Sequence, residues 1–168
     1  MQHRELPELG IHTLRITGIS SLGEDNTFYT VSDDGTFKLT DNKTGMPLAE
    51  VRPSQGALKQ LVPFQHRNCL GISDAKGNLH LYTKTNPPPE SIVSIQVESQ
   101  SEIKGLAISS AENHAVAGSQ DGTINVFDLQ AAGKERLIKP LVALQGKKNV
   151  RCLQWRERPR REIIAGHQ

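Results

Sequence analysis

Apolar and polar residues alternate in short stretches along this chain. The stretches Thr36–Asp41, Asn78–Tyr82 and Thr123–Asp128 place apolar side chains at every second position. A period of two residues is typical of a half-buried β-strand, whereas an amphipathic helix repeats about every 3.6 residues. No segment carries a convincing helical period, so the pattern predicts an all-β protein.

A six-residue pattern recurs four times and gives the chain a regular period. Each copy begins with an apolar residue followed by a base, and then carries apolar residues at alternate positions. The copies begin at Leu14, Leu58, Ile103 and Val150, so successive starts are 44, 45 and 47 residues apart. Four-stranded propeller blades repeat about every 40 to 45 residues, which is close to this spacing.

Each copy is followed by the same order of predicted elements. A polar loop leads to a second short strand, a turn leads to a third, and a turn-rich segment leads to a fourth: PLAEV, SIVSIQV or PLVALQ. The turns at Asp34-Gly35 and Asp121-Gly122 tolerate the positive φ of a tight hairpin, and Gly77 takes this place in the second unit. We therefore expect these five residues to form structural turns.

The third unit resembles a WD-repeat blade. It runs from Ile103 to Gln145, and Phe127-Asp128 stands where that family has its Trp-Asp pair. Thr40-Asp41 and Tyr82-Thr83 hold the same place in the first two units, but the Gly-His that often opens a repeat is missing. The resemblance implies a partial β-propeller of four-stranded antiparallel blades around a central channel, and it gives Asp128 a structural role.

The resemblance divides the chain, as one WD-repeat region over residues 1–168, into blade-like units. Their approximate bounds are 11–54, 55–100, 101–145 and a truncated 146–168. Members of the family most often have seven blades, which need roughly 300 residues at this period. The chain would then be a fragment, a half completed by a second copy or a different half, or an open arc in a larger assembly. The fragment is favoured because the chain stops inside a motif.

Composition and charge are ordinary for a soluble domain, with a formal net charge of +2 and 36% hydrophobic residues. No apolar run approaches the roughly 18 to 20 residues of a membrane span, and the first ten residues lack the apolar core of a signal peptide. These features predict an intracellular, cytoplasmic protein, with the nucleus also possible. Cys69 and Cys152 lack metal-ligand spacing, so we expect buried, reduced thiols.

Candidate catalytic and metal-binding residues are few. Asp33, Asp34, Asp74 and Asp121 could supply metal ligands or an acid–base pair, but each sits beside a hairpin turn, where Asp caps backbone N–H groups. The six histidines have no paired ligand spacing. We therefore expect no metal, no cofactor and no enzymatic activity.

A basic region close to the end of the chain is the most unusual local feature. It contains four arginines within six residues, and two lysines precede them: Lys147, Lys148, Arg156, Arg158, Arg160 and Arg161. Arginine presents a planar fork to phosphate groups, so the region could bind RNA, phosphoinositides or a phosphorylated partner. A solvated loop is the alternative, and Trp155 is expected to pack in the core.

Two function hypotheses follow. The resemblance implies a non-catalytic scaffold or adaptor that mediates protein–protein interactions within a larger intracellular assembly, with partners that include a second chain or further blades. The alternative is a binder of nucleic acid or anionic phospholipid that uses residues 147–161. No motif identifies the protein partner.

Overall fold

The computed structural model describes most of the chain as short antiparallel strands. The described residues are 12–21, 26–64, 66, 68–83, 91–96, 100–131, 140–146, 149–157 and 162–167. The one helical element among them is a short 3-10 helix at Leu129–Ala131. The prediction of an all-β chain is therefore confirmed.

Three sheets have four strands each, and every strand pairs with its neighbour in sequence. Sheet 1 consists of β1 (Ile16–Ser20), β2 (Thr27–Ser32), β3 (Phe37–Asp41) and β4 (Pro47–Val51). Sheet 2 consists of β5 (Leu58–Phe64), β6 (Cys69–Asp74), β7 (Asn78–Thr83) and β8 (Ser91–Gln96). Sheet 3 consists of β9 (Ile103–Ile108), β10 (His114–Ser119), β11 (Thr123–Asp128) and β12 (Val142–Gln145). A terminal hairpin follows, with β13 (Val150–Arg156) and β14 (Glu162–His167).

The apolar core lies between successive sheets. Tyr29 and Val31 of sheet 1 pack against Leu58 of sheet 2, which is fully buried. Apolar side chains of sheets 2 and 3 form a second cluster, and Val116 of sheet 3 packs against Val150 of the hairpin in a third. The first strands β1, β5, β9 and β13, which we call the inner strands, consequently lie side by side.

Each inner strand carries a β-bulge at the same place. The pairing with the second strand shifts after the first inner-strand residue, between Ile16 and Gly18 and at the corresponding positions of the other units. The equivalent first residues are Ile16, Leu58, Ile103 and Val150, so the spacings are 42, 45 and 47 residues. The six-residue pattern therefore begins at Ile16 in the first unit. Leu14-Arg15 has the apolar and basic residues with which the pattern begins in the other units, but it lies two positions before the true start.

Candidate functional site

The predicted turn residues all lie where a strand reverses direction or ends. Gly35, Gly77 and Gly122 have φ angles of 80°, 82° and 91°, a region that glycine enters without steric cost. Asp34 accepts a hydrogen bond of 2.8 Å from the backbone N–H of Thr36, and Asp121 accepts one of 2.9 Å from that of Thr123. Asp128 accepts one of 2.8 Å from the backbone N–H of Gln130.

Asp34 also anchors a histidine that sequence reasoning missed. The Nδ1 atom of buried His12 lies 3.1 Å from the Asp34 carboxylate, and its Nε2 atom lies 2.8 Å from the Thr30 hydroxyl. Burial alone would raise the pKa of Asp34, but hydrogen bonds from Thr36 and Thr13 and the charge of His12 hold it far below its usual range. Asp34 therefore remains ionised and joins the chain before β1 to the β2–β3 turn.

Sheet 2 builds a similar cluster from a different position. Asp74 occupies the place that Ser32 has in sheet 1, and it accepts hydrogen bonds of 2.9 and 2.8 Å from the backbone N–H groups of Lys76 and Asn78. The Nε2 atom of buried His80 lies 3.2 Å from its second oxygen. Burial would raise the pKa of Asp74, but the hydrogen bonds from His80 and Asn78 lower it far below its usual range. These acid–histidine pairs form only when strands align, so sequence spacing did not reveal them.

The basic region is only partly described. Lys147, Lys148, Arg158, Arg160 and Arg161 lie outside the described residues. Arg156 ends β13, and its guanidinium forms an ion pair with Glu162 across the hairpin.

Trp155 lies one residue before Arg156 and packs against sheet 3. Its ring stacks on that of His114, with 5.7 Å between centroids and 8° between planes, and its Nε1 donates a 2.7 Å hydrogen bond to Glu157. It also contacts the cluster around Val116 and Val150. Trp155 therefore joins the hairpin to sheet 3.

A cavity of about 420 Å³ opens beside the inner strands, and we call it the inner-strand cavity. Its lining residues are Arg15, Ile16, Thr17, Lys59, Gln60, Glu102, Lys104 and Arg151. Lys59, Lys104 and Arg151 are the bulged residues of β5, β9 and β13. A bulge re-aims a side chain, which explains why bases from three sheets reach one cavity. In β1 the bulged residue is Thr17, and Arg15 supplies the cation from two positions earlier.

Two carboxylates connect the cations of the inner-strand cavity. Asp33 lies 2.9 Å from the guanidinium of Arg15 and 2.7 Å from the ammonium of Lys59. Glu102 lies 3.5 Å from both Lys59 and Lys104. Burial would raise the pKa of Asp33, but Lys59 and Arg15 lower it below its usual value. The described groups in and beside the cavity thus include four cations, which line it, and two carboxylates, which form ion pairs with three of them.

The described residues contain little other chemistry. Among them, no three His, Cys, Asp or Glu side chains are placed to hold a metal ion. Cys69 and Cys152 are both free thiols, but only Cys69 is buried, so the prediction of a buried thiol is wrong for the exposed Cys152. No helix in the described part of the chain is long and apolar enough to cross a membrane.

Comparison with known proteins supports the WD-repeat resemblance. Residues 90–128 match the family model described as WD domain, G-beta repeat, and the match ends at Phe127-Asp128. No curated protein matches the chain. The prediction of a WD-repeat resemblance is therefore confirmed for this part of the chain.

Solved structures of designed β-propeller proteins have the same fold. The computationally designed Ika4 protein superimposes with a TM-score of 0.75 at 25% identity, over 99% of this chain and 94% of its own. The computationally designed Ika8 protein gives a TM-score of 0.76 at 25% identity, over 95% of this chain and 45% of its own. The chain is therefore a partial β-propeller, and it spans less than half of the longer designed protein.

Proposed function

We propose that this chain is a non-catalytic WD-repeat scaffold that works within a larger cytoplasmic assembly. The observation that supports the proposal is a pair of uncovered apolar faces at the two ends of the arc. Rigid sheets that supply geometry, with exposed surfaces that dock other chains, are typical of such scaffolds. Arg156, the only candidate contact of the basic region that the structure describes, is engaged by Glu162.

The first face lies on β1. Leu58, Ile103 and Val150 are fully buried because each packs against the preceding sheet. Ile16 occupies the equivalent position in β1, and it is 52% exposed. Ile19 is 68% exposed, whereas its equivalent in sheet 3, Leu106, is buried. Each later sheet uses these apolar positions to pack against the sheet before it. In sheet 1 the same positions are exposed, so this sheet presents an uncovered apolar surface.

The second face lies on β14. Tyr29 in β2 and Val116 in β10 are buried in clusters that include the first residue of the next inner strand. Ile164 occupies the equivalent position in β14, and it is 42% exposed. The two ends therefore present the two complementary halves of an interface that already recurs three times within the described chain.

Each face is completed, in this proposal, by a further blade of the same kind. A second copy can supply it, because a head-to-tail contact between unlike faces closes into a ring when the rotation allows. A different half or further blades of a longer polypeptide would satisfy the same faces. The proposed units remain 11–54, 55–100, 101–145 and 146–168.

The native mass of the purified chain tests the proposal. We expect light scattering to show a mass above that of the 18.5 kDa monomer, and we expect Ile19→Lys to lower it by placing a charge in the open face. Leu144→Lys is the matched control, because Leu144 is an exposed apolar residue on the outer strand β12. A monodisperse wild-type monomer with a cooperative melt would contradict the need for further blades.

A further inference from the structure

The inner-strand cavity gathers positive charge from all four inner strands or the residues beside them. Lys59, Lys104 and Arg151 come from equivalent bulges, and Arg15 completes the described set. Residues that are 45 and 47 positions apart in sequence thus line one space. Strand pairing needs no particular side chain at a bulge, so sheet formation does not explain why three of the four bulged residues are basic.

We propose that this cavity binds a small ligand that carries two or more phosphate groups. Its volume of about 420 Å³ is in the range of small-molecule sites, which is about 300 to 1,000 Å³. Four basic side chains meet there, and the described carboxylates beside Arg15, Lys59 and Lys104 are those of Asp33 and Glu102. A ligand with several negative charges suits such a basic lining, and arginine and lysine are the side chains that bind phosphate oxygens.

The carboxylates position the lysines as well as offsetting part of the positive charge in the cavity. Lys59 is held between Asp33 at 2.7 Å and Glu102 at 3.5 Å, and Lys104 contacts the same Glu102 at 3.5 Å. The Lys59 ammonium is therefore held between two carboxylates before a ligand arrives, which lowers the entropy cost of binding. Because Glu102 also repels an anion, the affinity of the cavity is set by the balance between these groups.

The lining favours a phosphate over a nucleobase. The described lining residues include no aromatic ring, and stacking on aromatic side chains is what usually holds single-stranded bases. Ile16 is the one apolar residue among them. The phosphates can belong to a soluble polyphosphate or to a phosphoinositide headgroup, because both offer the same oxygens.

Calorimetric titration of the full chain with tripolyphosphate tests the site. We expect Lys59→Met and Lys104→Met each to weaken binding about tenfold or more, because each removes one charge-assisted contact. Lys43→Met is the matched control, since Lys43 lies exposed in the turn between β3 and β4, and we expect its affinity to be unchanged. No binding to the wild type at low salt, or an equal loss in the Lys43 variant, would overturn the proposal.

A substitution of opposite sign keeps the test independent of folding defects. Glu102→Gln removes one negative charge from the cavity and leaves the lysines in place, so we expect tighter binding of tripolyphosphate. Unchanged or weaker binding by a folded Glu102→Gln variant would contradict a site in this cavity. Circular dichroism of each variant confirms that the strands remain.

Vesicle sedimentation separates the two sources of phosphate. Phosphatidylcholine vesicles with and without phosphatidylinositol bisphosphate are the probes. Sedimentation only with the bisphosphate, lost in Lys104→Met, assigns a lipid headgroup. Binding of tripolyphosphate without sedimentation assigns a soluble ligand, and failure of both probes overturns the proposal.

Discussion

Asp74 combines complete burial with an ionised carboxylate, and its neighbours explain how both are possible. It accepts hydrogen bonds from two backbone N–H groups and from the side chain of Asn78, and it contacts His80. A carboxylate that accepts several hydrogen bonds stays charged, because each bond favours the ionised form. The sequence shows an acid beside this turn. It does not show that the Asp74 carboxylate accepts hydrogen bonds from the backbone of its turn, as the Asp34 carboxylate does in sheet 1.

Acidification should destabilise the protein through Asp74 and Asp34. Their native pKa values lie below the unfolded value, so the stability they contribute is present above about pH 4 and is lost as the pH falls toward the native pKa. We expect Asp74→Asn to cost about 1 to 3 kcal/mol at pH 7. Below pH 4 its stability should decline less steeply than that of the wild type.

Urea unfolding at neutral and acidic pH measures both effects. Asp121→Asn is the control, because Asp121 is exposed in the turn of sheet 3. The unfolding free energy of this variant should differ little from that of the wild type. Parallel pH profiles for the wild type and Asp74→Asn would show that this carboxylate does not contribute to acid unfolding.

Gly118 allows the terminal hairpin to approach sheet 3 closely. A Cβ atom at this position would lie 2.4 Å from Cγ1 of Val150 and 3.0 Å from Cδ1 of Leu153. Valine is stiff at χ1, so its methyl group cannot rotate away cheaply. We expect Gly118→Ala to cost about 1 to 3 kcal/mol of unfolding free energy, measured by denaturant titration.

The double variant Gly118→Ala with Val150→Ala tests this contact. We expect the two substitutions together to cost less than the sum of their separate effects, because the smaller side chain makes room for the new methyl group. Gly56→Ala is the control, since its Cβ would meet the flexible side chain of Lys76 at 3.2 Å. If the costs of the two single substitutions simply add in the double variant, the effect of Gly118→Ala does not arise from contact with Val150.

Among the elements, the β-bulges are the feature that links the sheets. In β1 the bulged residue Thr17 donates a hydrogen bond of 2.7 Å to the carbonyl of Leu58, the first residue of β5. The same hydroxyl lies 3.2 Å from the carbonyl of Val31 in β2. A bulge thus turns one side chain out of the sheet and toward the neighbouring sheet.

Thr17→Val should weaken the contact between sheets 1 and 2. Valine has nearly the same shape but cannot donate a hydrogen bond, so we expect a loss of about 0.5 to 1.5 kcal/mol in unfolding free energy. Thr17→Ser keeps the hydroxyl and should therefore retain most of the unfolding free energy that Thr17→Val loses. Equal losses in both variants would show that packing of the methyl group, and not the hydrogen bond, is what matters.

The strands themselves were largely predictable from sequence, and the bulges were not. Thr123–Asp128 is a strand with the bounds that alternation indicates, and β3 (Phe37–Asp41) and β7 (Asn78–Thr83) differ from the indicated stretches by one residue each. Alternation reports which face a residue occupies, but it does not show where a bulge inserts an extra residue and changes that face. In the first unit the sequence pattern consequently indicates Leu14 as the first position, whereas the strand pairing begins at Ile16.

In the whole molecule, the sequence repeat and the sheet are offset by one strand. The family match over residues 90–128 covers β8 of sheet 2 together with β9, β10 and β11 of sheet 3. One sequence repeat therefore contributes to two sheets. Removing residues 90–128 would leave both sheets incomplete.

The inner-strand cavity could not be predicted from the sequence. The base that follows the first apolar residue of each pattern is visible in the sequence, but its meaning is not. Only the radial arrangement of the sheets brings Lys59, Lys104 and Arg151 to one cavity. A search for local basic clusters instead selects the arginine-rich region, because there the charges are adjacent in the chain.

Ile16 belongs to two surfaces, since it lines the inner-strand cavity and also forms part of the open face of sheet 1. A further blade that covers this face would change one wall of the cavity. Ligand binding and ring completion are then linked equilibria with a single coupling free energy. A polyphosphate that binds the completed ring more tightly must strengthen its assembly by the same factor, so ligand concentration would control the size of the scaffold.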